Sequence, residues 1–509
     1  MYPGRTELIG EKVCYPLLRS QDSSQQETTL SLKGGSTMSR VSIVILLCIA
    51  LTATVSSARV LHVPSEYPNI QAGVDAAVEG DTVLVADGIY TGNSNRNIRF
   101  YGKGIVVMSE NGPEVTIIET GWHTGFLFDN SEDTSSVVQG FTVLGANNYI
   151  GGAIYCSDSS PTIRGNIIRG NRAWYGGGIY CESSSAVIEG NAIMDNVAYV
   201  GLSTKTIRSG GFGGGIRVAG SSSSPHIRNN IIARNTSEVV GGGIALDFTD
   251  PATLIEGNLI VENLAPGGGG LYCTGAPAAM RHNTVSGNTA SCYGGGIWCA
   301  VGASVSILNC VFWGNRAERE GDEIYVPDTT EIAVTYSDIK GGWEGEGNID
   351  ADPLFLLPDK RDYRLLWDSP CIDTGHPDSL DPDGTRSDMG AFYFDQSTPI
   401  TIYLTPDTTV YHRKENLGVT YTVINIDPDP VTFSLRTDVY LPNGKPYPGN
   451  PVVGPKEKTL PGGKTKQQRI THYIPGNTPF GVFTYTTTIN SLLSDDILDE
   501  DSFRFVIEE

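Results

Sequence analysis

A six-residue, glycine-led head returns along the middle of this chain: GGAIYC at 151, GGGIYC at 176, GGGIRV at 213, GGGIAL at 241, GGGLYC at 268, GGGIWC at 294 and a degenerate GDEIYV at 321. The intervals are 25, 37, 28, 27, 26 and 27 residues. A second pattern fills the space between heads, as PTIRGNIIRGN, AVIEGNAIMDN, PHIRNNIIARN, TLIEGNLIVEN, AAMRHNTVSGN and SILNCVFWGN. A unit of about 26 residues with three short apolar strands and two turns cannot bury its own hydrophobic face, so copies must stack into a solenoid. No long segment of helical periodicity competes with this reading.

Stacking assigns a place to each residue type. An apolar residue stands three positions before each corner of the tail, as with Ile163 and Ile168, Ile188 and Ile193, or Ile227 and Ile232, and these are expected to point into one continuous core. Asn171, Asn196, Asn235, Asn263, Asn288 and Asn315 then fall at one corner of successive coils, where their amides can hydrogen-bond along a ladder at the strand spacing of about 4.8 Å. In the head, alternation places Ile179 and Cys181 on one face and Tyr180 on the other. Val218, Leu246 and Val326 take the cysteine's place in other copies, which marks it as an inward apolar slot.

Composition agrees with many short strands: glycine supplies 61 of 509 residues and charged residues only 18%. A net charge of -22 excludes the basic footprint that nucleic acid requires. The apolar run from Val41 to Val55, with Arg40 before it and Ser56-Ser57-Ala58 after it, reads as a signal peptide over 38–58, preceded by an upstream disordered extension over 1–37 with Met38 as the expected start. At about 15 residues the run is short of the ~20 that a spanning helix needs, so no membrane span is expected in the mature chain. Cleavage after Ala58 leaves Cys156, Cys181, Cys273, Cys292, Cys299, Cys310 and Cys371. Stacked cysteines such as Cys156 and Cys181 have parallel side-chain vectors, a poor geometry for a disulfide.

The repeated heads and tails resemble the right-handed parallel β-helices of the pectin-lyase-like superfamily, in particular bacterial surface and secreted proteins of that type. VPSEYPNIQAGVDAAVEGDTVLVADGIYTG from Val63 is similar to their opening segment, where a short helix covers the open end of the core, and GNIDADPLFLLP with SPCIDTGHPDSLDPDGTRSDMGAF is similar to their closing coil. The expected architecture is all-β, a single-stranded right-handed parallel β-helix over 59–394. Alternating strands separated by Asn443-Gly444 and Gly462-Gly463 follow, and read as an immunoglobulin-like β-sandwich over 395–509. The superfamily holds lyases, hydrolases, esterases and adhesins, so the resemblance implies a fold and leaves activity open.

Chemistry has three candidate locations. The outward neighbours of the cysteine slot, Tyr155, Tyr180, Arg217, Ala245, Tyr272, Trp298 and Tyr325, are expected to form an exposed column; its aromatic faces suit the C–H faces of a glycan, or simply stack on one another. One coil carries an insertion, Tyr199 to Phe212, with Lys205 and Arg208; with Arg217, Asp247 and Asp250 it is the place where a lyase base or a hydrolase carboxylate pair would have to sit, although neither motif is complete and solvated surface charge accounts for these residues as well. Asp381, Asp383 and Asp388 are spaced like part of a calcium loop that lacks the later glutamate, and a turn made by Asp and Gly accounts for them equally well. These residues together describe a secreted or cell-surface platform for polysaccharide or cell-envelope glycan, with a polysaccharide lyase or glycoside hydrolase, and a structural spacer, as the alternatives.

Overall fold

The computed structural model describes residues 57–202, 208–327, 330–492, 494 and 496–508. The expected extension, nearly all of the signal segment, and Lys205 lie outside the described residues.

One coil shows how the sequence builds the rest. Thr162–Arg164, Ile167–Arg169, Arg172–Tyr175 and Ile179–Glu182 are four short strands, and each joins a different parallel sheet. Repetition of such coils gives sheets of eleven, ten, seven and nine strands. The tri-glycine is required at the corner that joins the last two: Gly176 has a φ of 62°, and a Cβ on Gly177 would sit 2.4 Å from the carbonyl oxygen of Gly214 in the next coil. Ile154, Ile179, Ile216, Ile244, Leu271, Ile297 and Ile324 therefore lie one above another, as do Cys156, Cys181, Val218, Leu246, Cys273 and Cys299. All of these belong to one buried core, in which Cys181 is 0% exposed. The thiols of Cys156, Cys181, Cys273, Cys299, Cys310 and Cys371 are free and buried, so the cysteine slot serves packing.

Two inner ladders of asparagine run along the coils. In the expected one, the Nδ2 of Asn171 donates to Asn196 Oδ1 at 3.0 Å, and the series continues through Asn235, Asn263, Asn288 and Asn315. A second ladder passes from Asn166 through Asn191, Asn230 and Asn258 to Asn283 and stops at Cys310. On the outside of the eleven-stranded sheet, Arg164, Glu189, Arg228, Glu256 and Arg281 stack in register with alternating sign, and Arg228 reaches Glu189 at 2.5 Å.

Both ends are closed. The helix Ile70–Ala76, capped by Asn69, inserts Ile70 and Val74 into the first coil, and a Cβ on its Gly73 would lie 2.8 Å from Val83. At the far end the chain from Phe355 to Phe394 folds over the last coils, with Leu365, Cys371, Met389 and Phe394 buried against Val311. A β-sandwich follows. Its three-stranded sheet holds Ile400–Pro406, Asn416–Asn425 and Lys464–Tyr473 in that order, and the five-stranded sheet ends with Val431–Tyr440 and, at its edge, Val453–Leu460. Ile424 joins the cluster of the closing coil, and Arg364 pairs with Asp501 at 2.8 Å, so sandwich and β-helix are packed into one unit from Val60 to Glu509. Among the described residues no helix is long and apolar enough to cross a membrane.

Candidate functional site

The outward column exists, in the expected register of Tyr155, Tyr180, Arg217, Ala245, Tyr272, Trp298 and Tyr325. It is not exposed. Tyr180 is 6% and Tyr272 5% accessible, while Tyr155, Trp298 and Tyr325 are half-buried. The tri-glycine corner folds the preceding segment back over this face, where Tyr175, Phe212, Val240 and Gly267 bridge in parallel. Alternation fixes the side on which a residue projects, but it does not report whether another segment covers that side.

The covering residues divide the column into two aromatic groups. Tyr155 stacks on Tyr180 with centroids 5.8 Å apart, and Tyr175 and Phe212 close over them. Tyr293 stacks on Tyr325 at 4.6 Å, with Trp298 and Tyr272 packed edge-on beside them. Tyr175, Phe212 and Tyr293 were not singled out from the sequence, yet each immediately precedes a tri-glycine head, a signal that lay beside the most regular motif in the chain.

Arg217 lies inside the first group. Its guanidinium carbon is 4.3 Å from the ring centroid of Tyr175, 4.8 Å from Phe212 and 5.6 Å from Tyr180, a cation–π arrangement on three sides. Asp247, one coil on, projects on the same side as Ala245, whose small side chain leaves room for the two to meet. Arg217 Nη2 is 2.8 Å from Asp247 Oδ2. The contact is an ion pair without hydrogen-bond alignment: Arg217 Nε and Asp247 Oδ2 are both buried with no hydrogen-bond partner, as is Trp298 Nε1 in the second group. Burial pushes the Asp247 carboxyl up from its ordinary range, and Arg217 opposes that rise. Burial likewise pushes the Tyr272 hydroxyl up to about 12.

The remaining candidates separate from this site. Asp250 closes the turn after its strand, accepting from the backbone of Ala252 at 2.9 Å, and does not meet Arg217. The insertion forms a hairpin of Val200–Leu202 and Arg208–Gly210 that packs against Trp174; a Cβ on Gly201 would overlap that ring at 1.7 Å. Tyr175 and Ser209 bond through their hydroxyls, which ties the hairpin to the rim of the aromatic face. In the closing coil, Asp388 accepts from Asp373 N and Phe394 N, Asp381 from Asp388 N, and Asp383 from Thr385 N and Gln396 N. These carboxylates hold a turn, and among the described residues no group of three or more His, Cys, Asp or Glu side chains is placed to hold a metal ion.

The family profile described as a right handed beta helix region matches residues 77–276 and 215–343. No curated protein matches the chain. Solved structures with local similarity include the Pseudomonas fluorescens alkylpurine DNA glycosylase AlkC bound to DNA containing an abasic site analog, 15% identical over 22% of this chain and 31% of that one, with a TM-score of 0.18. The sporulation control protein Spo0M of Bacillus subtilis is 15% identical over 22% of this chain and 50% of its own, at 0.17. A CARDB domain from Pyrococcus furiosus in complex with di-metal ions is 14% identical over 22% of this chain and 89% of its own, at 0.17. The chain thus spans about a third and a half of the first two.

Proposed function

This chain belongs to the right-handed β-helix family, and from that premise we propose that it is an exported platform that binds polysaccharide along its aromatic face. One observation carries the reading: Arg217 sits among three aromatic rings, and its Nε and the facing Asp247 Oδ2 lack hydrogen-bond partners. Sugar hydroxyls supply both donors and acceptors, and the C–H faces of sugar rings pack on aromatic surface. A glycan resting on the half-buried rings of Tyr155, Tyr175 and Phe212 would satisfy these buried atoms by inserting a hydroxyl between the rings. The Tyr293–Tyr325 stack then serves as the wall of the site rather than as its platform.

Arg217 is engaged by Asp247 and enclosed by three rings, a placement that suits a binding contact better than the freely approached Brønsted base that a lyase needs. Affinity electrophoresis of the purified chain through neutral and uronic-acid polysaccharides tests the proposal. Retention is expected on at least one of them, weakened about tenfold by Tyr155→Ala or Trp298→Ala, the order of change expected when one aromatic contact is lost. Retention on none of the glycans would sink the reading. Ultraviolet absorbance from unsaturated products would replace it with the lyase.

A further inference from the structure

The outer strands of the two sandwich sheets, Val453–Leu460 and Lys464–Tyr473, adjoin through the Gly462-Gly463 turn, and their register is unusual for edge strands. Lys456 and Lys458 pair with Leu435 and Phe433, and Lys466 pairs with Val423. Directly opposed residues of an antiparallel pair project from the same side of the sheet. Leu435, Phe433 and Val423 are core residues, so all three lysines rise from the inner faces of the sandwich at its open edge. A cavity of about 120 Å³ lies between the sheets there, with Val423, Phe433, Leu435 and Ile470 among its lining.

Charge distinguishes this place from the rest of the molecule. Residues 453–473 carry five basic side chains, Lys456, Lys458, Lys464, Lys466 and Arg469, against one acid, Glu457, in a chain of net charge -22. Inward-pointing charges on edge strands guard against unwanted strand pairing. That role is served as well over a filled core, and it does not require a hollow with an apolar floor.

We propose that this cleft binds a single-chain anionic amphiphile, a free fatty-acid carboxylate. A cavity of about 150 Å³ accommodates benzene, so about 120 Å³ takes roughly the last five carbons of an alkyl chain. The rest of the chain runs along the mouth, and the carboxylate meets the ammonium groups of Lys456, Lys458 and Lys466, each a strongly hydrated point charge suited to an exposed anionic head.

Calorimetric titration of the full chain with decanoate tests this, with decanol as the uncharged analogue and phosphatidylglycerol vesicles as the membrane-borne alternative. Saturable binding of decanoate is expected, at least about tenfold tighter than that of decanol, as a charge-assisted contact provides. The triple variant Lys456→Glu, Lys458→Glu, Lys466→Glu changes exposed side chains and is expected to lose that preference, whereas arginine at the same three positions retains it. Val423→Phe, which fills the cavity, is expected to weaken decanoate and decanol together. Failure of decanoate to saturate, equal affinity for decanol, undiminished binding by the glutamate variant, or binding to the vesicles alone would each overturn the proposal.

Discussion

The asparagine ladders and the Arg217–Asp247 pair both bury polar side chains, one inside the coils and one on their outer face, and they are satisfied to very different degrees. Asn230 donates to Ile188 O at 2.8 Å and Asn258 Oδ1 at 2.9 Å, and its own Oδ1 accepts from the backbone and side chain of Asn191. Arg217 has aromatic surroundings and one carboxylate, with Nε left over. Repetition explains the contrast. An amide on a ladder finds the same amide one coil away, whereas Arg217 stands between Tyr180 and Ala245 and has no counterpart to bond. In a solenoid, polar groups that recur are supplied with partners by the architecture. Those that do not recur depend on partners from elsewhere, which is where a ligand can contribute.

The largest test breaks a ladder. Asn230→Ala withdraws the acceptor of Asn191 N and Nδ2 and the donor to Ile188 O. With each orphaned buried group costing roughly 1–3 kcal/mol, a loss of about 5 kcal/mol is expected. Chemical unfolding followed by far-ultraviolet circular dichroism measures it. A loss below about 1 kcal/mol would mean that the coils relax around the gap and that the ladder is ornamental to stability.

Much of this architecture was legible because it repeats. The interval between heads gave the stack, residue parity gave the inward slots of Ile179 and Cys181, and the recurring asparagines gave the ladder. The parts that were not legible depend on single contacts. Nothing in the alternation of the head reports that Tyr175 and Phe212 cover Tyr180, and spacing alone does not separate Asp247, whose parity turns it towards Arg217, from Asp250, which falls beyond the strand and closes a turn. The insertion was visible as extra length, but its docking on Trp174 depends on the absent side chain of Gly201. Asp381, Asp383 and Asp388 have the spacing of cation ligands, and the backbone N–H groups that occupy them come from residues as distant as Phe394 and Gln396.

A smaller effect sharpens the outer side of the contrast. Arg217→Met removes one partner of a buried pair and is expected to cost about 4 kcal/mol at neutral pH, because Asp247 is left without its countercharge. Burial already raises the Asp247 pKa, and loss of Arg217 raises it further. For a carboxyl raised in the folded state, stability is full below the unfolded pKa and falls as pH rises through the window up to the folded value. The variant should therefore recover stability on acidification. The double variant Arg217→Met, Asp247→Leu should restore much of the loss at neutral pH while abolishing glycan retention. A double variant as unstable as the single one would show that the pair is a structural element like the ladder.

The smallest effect lies where a ladder runs out. Asn315 is the last asparagine of this ladder, and the degenerate head places Glu323 where most earlier copies have their third glycine. Its carboxylate takes over as the terminal acceptor, from Gly314 N at 2.9 Å, Asn315 N at 3.3 Å and Asn315 Nδ2 at 2.5 Å. Burial nevertheless pushes its pKa from 4.5 up to about 7, against those hydrogen bonds and Lys340. Stability contributed by this group is thus full below about 4.5 and is lost as pH rises towards about 7, by about 3 kcal/mol at 1.36 kcal/mol per unit. Glu323→Gln cannot ionise, so the difference in unfolding free energy between wild type and variant should drift in the variant's favour across that window. A constant difference would place the pH dependence elsewhere, for example at Asp338 and Asp388, whose carboxyls burial also raises, to about 6 and about 7. The terminal carboxylate would then behave as one more fully satisfied rung, and the division between repeated and unrepeated polar groups would not extend to the end of the ladder.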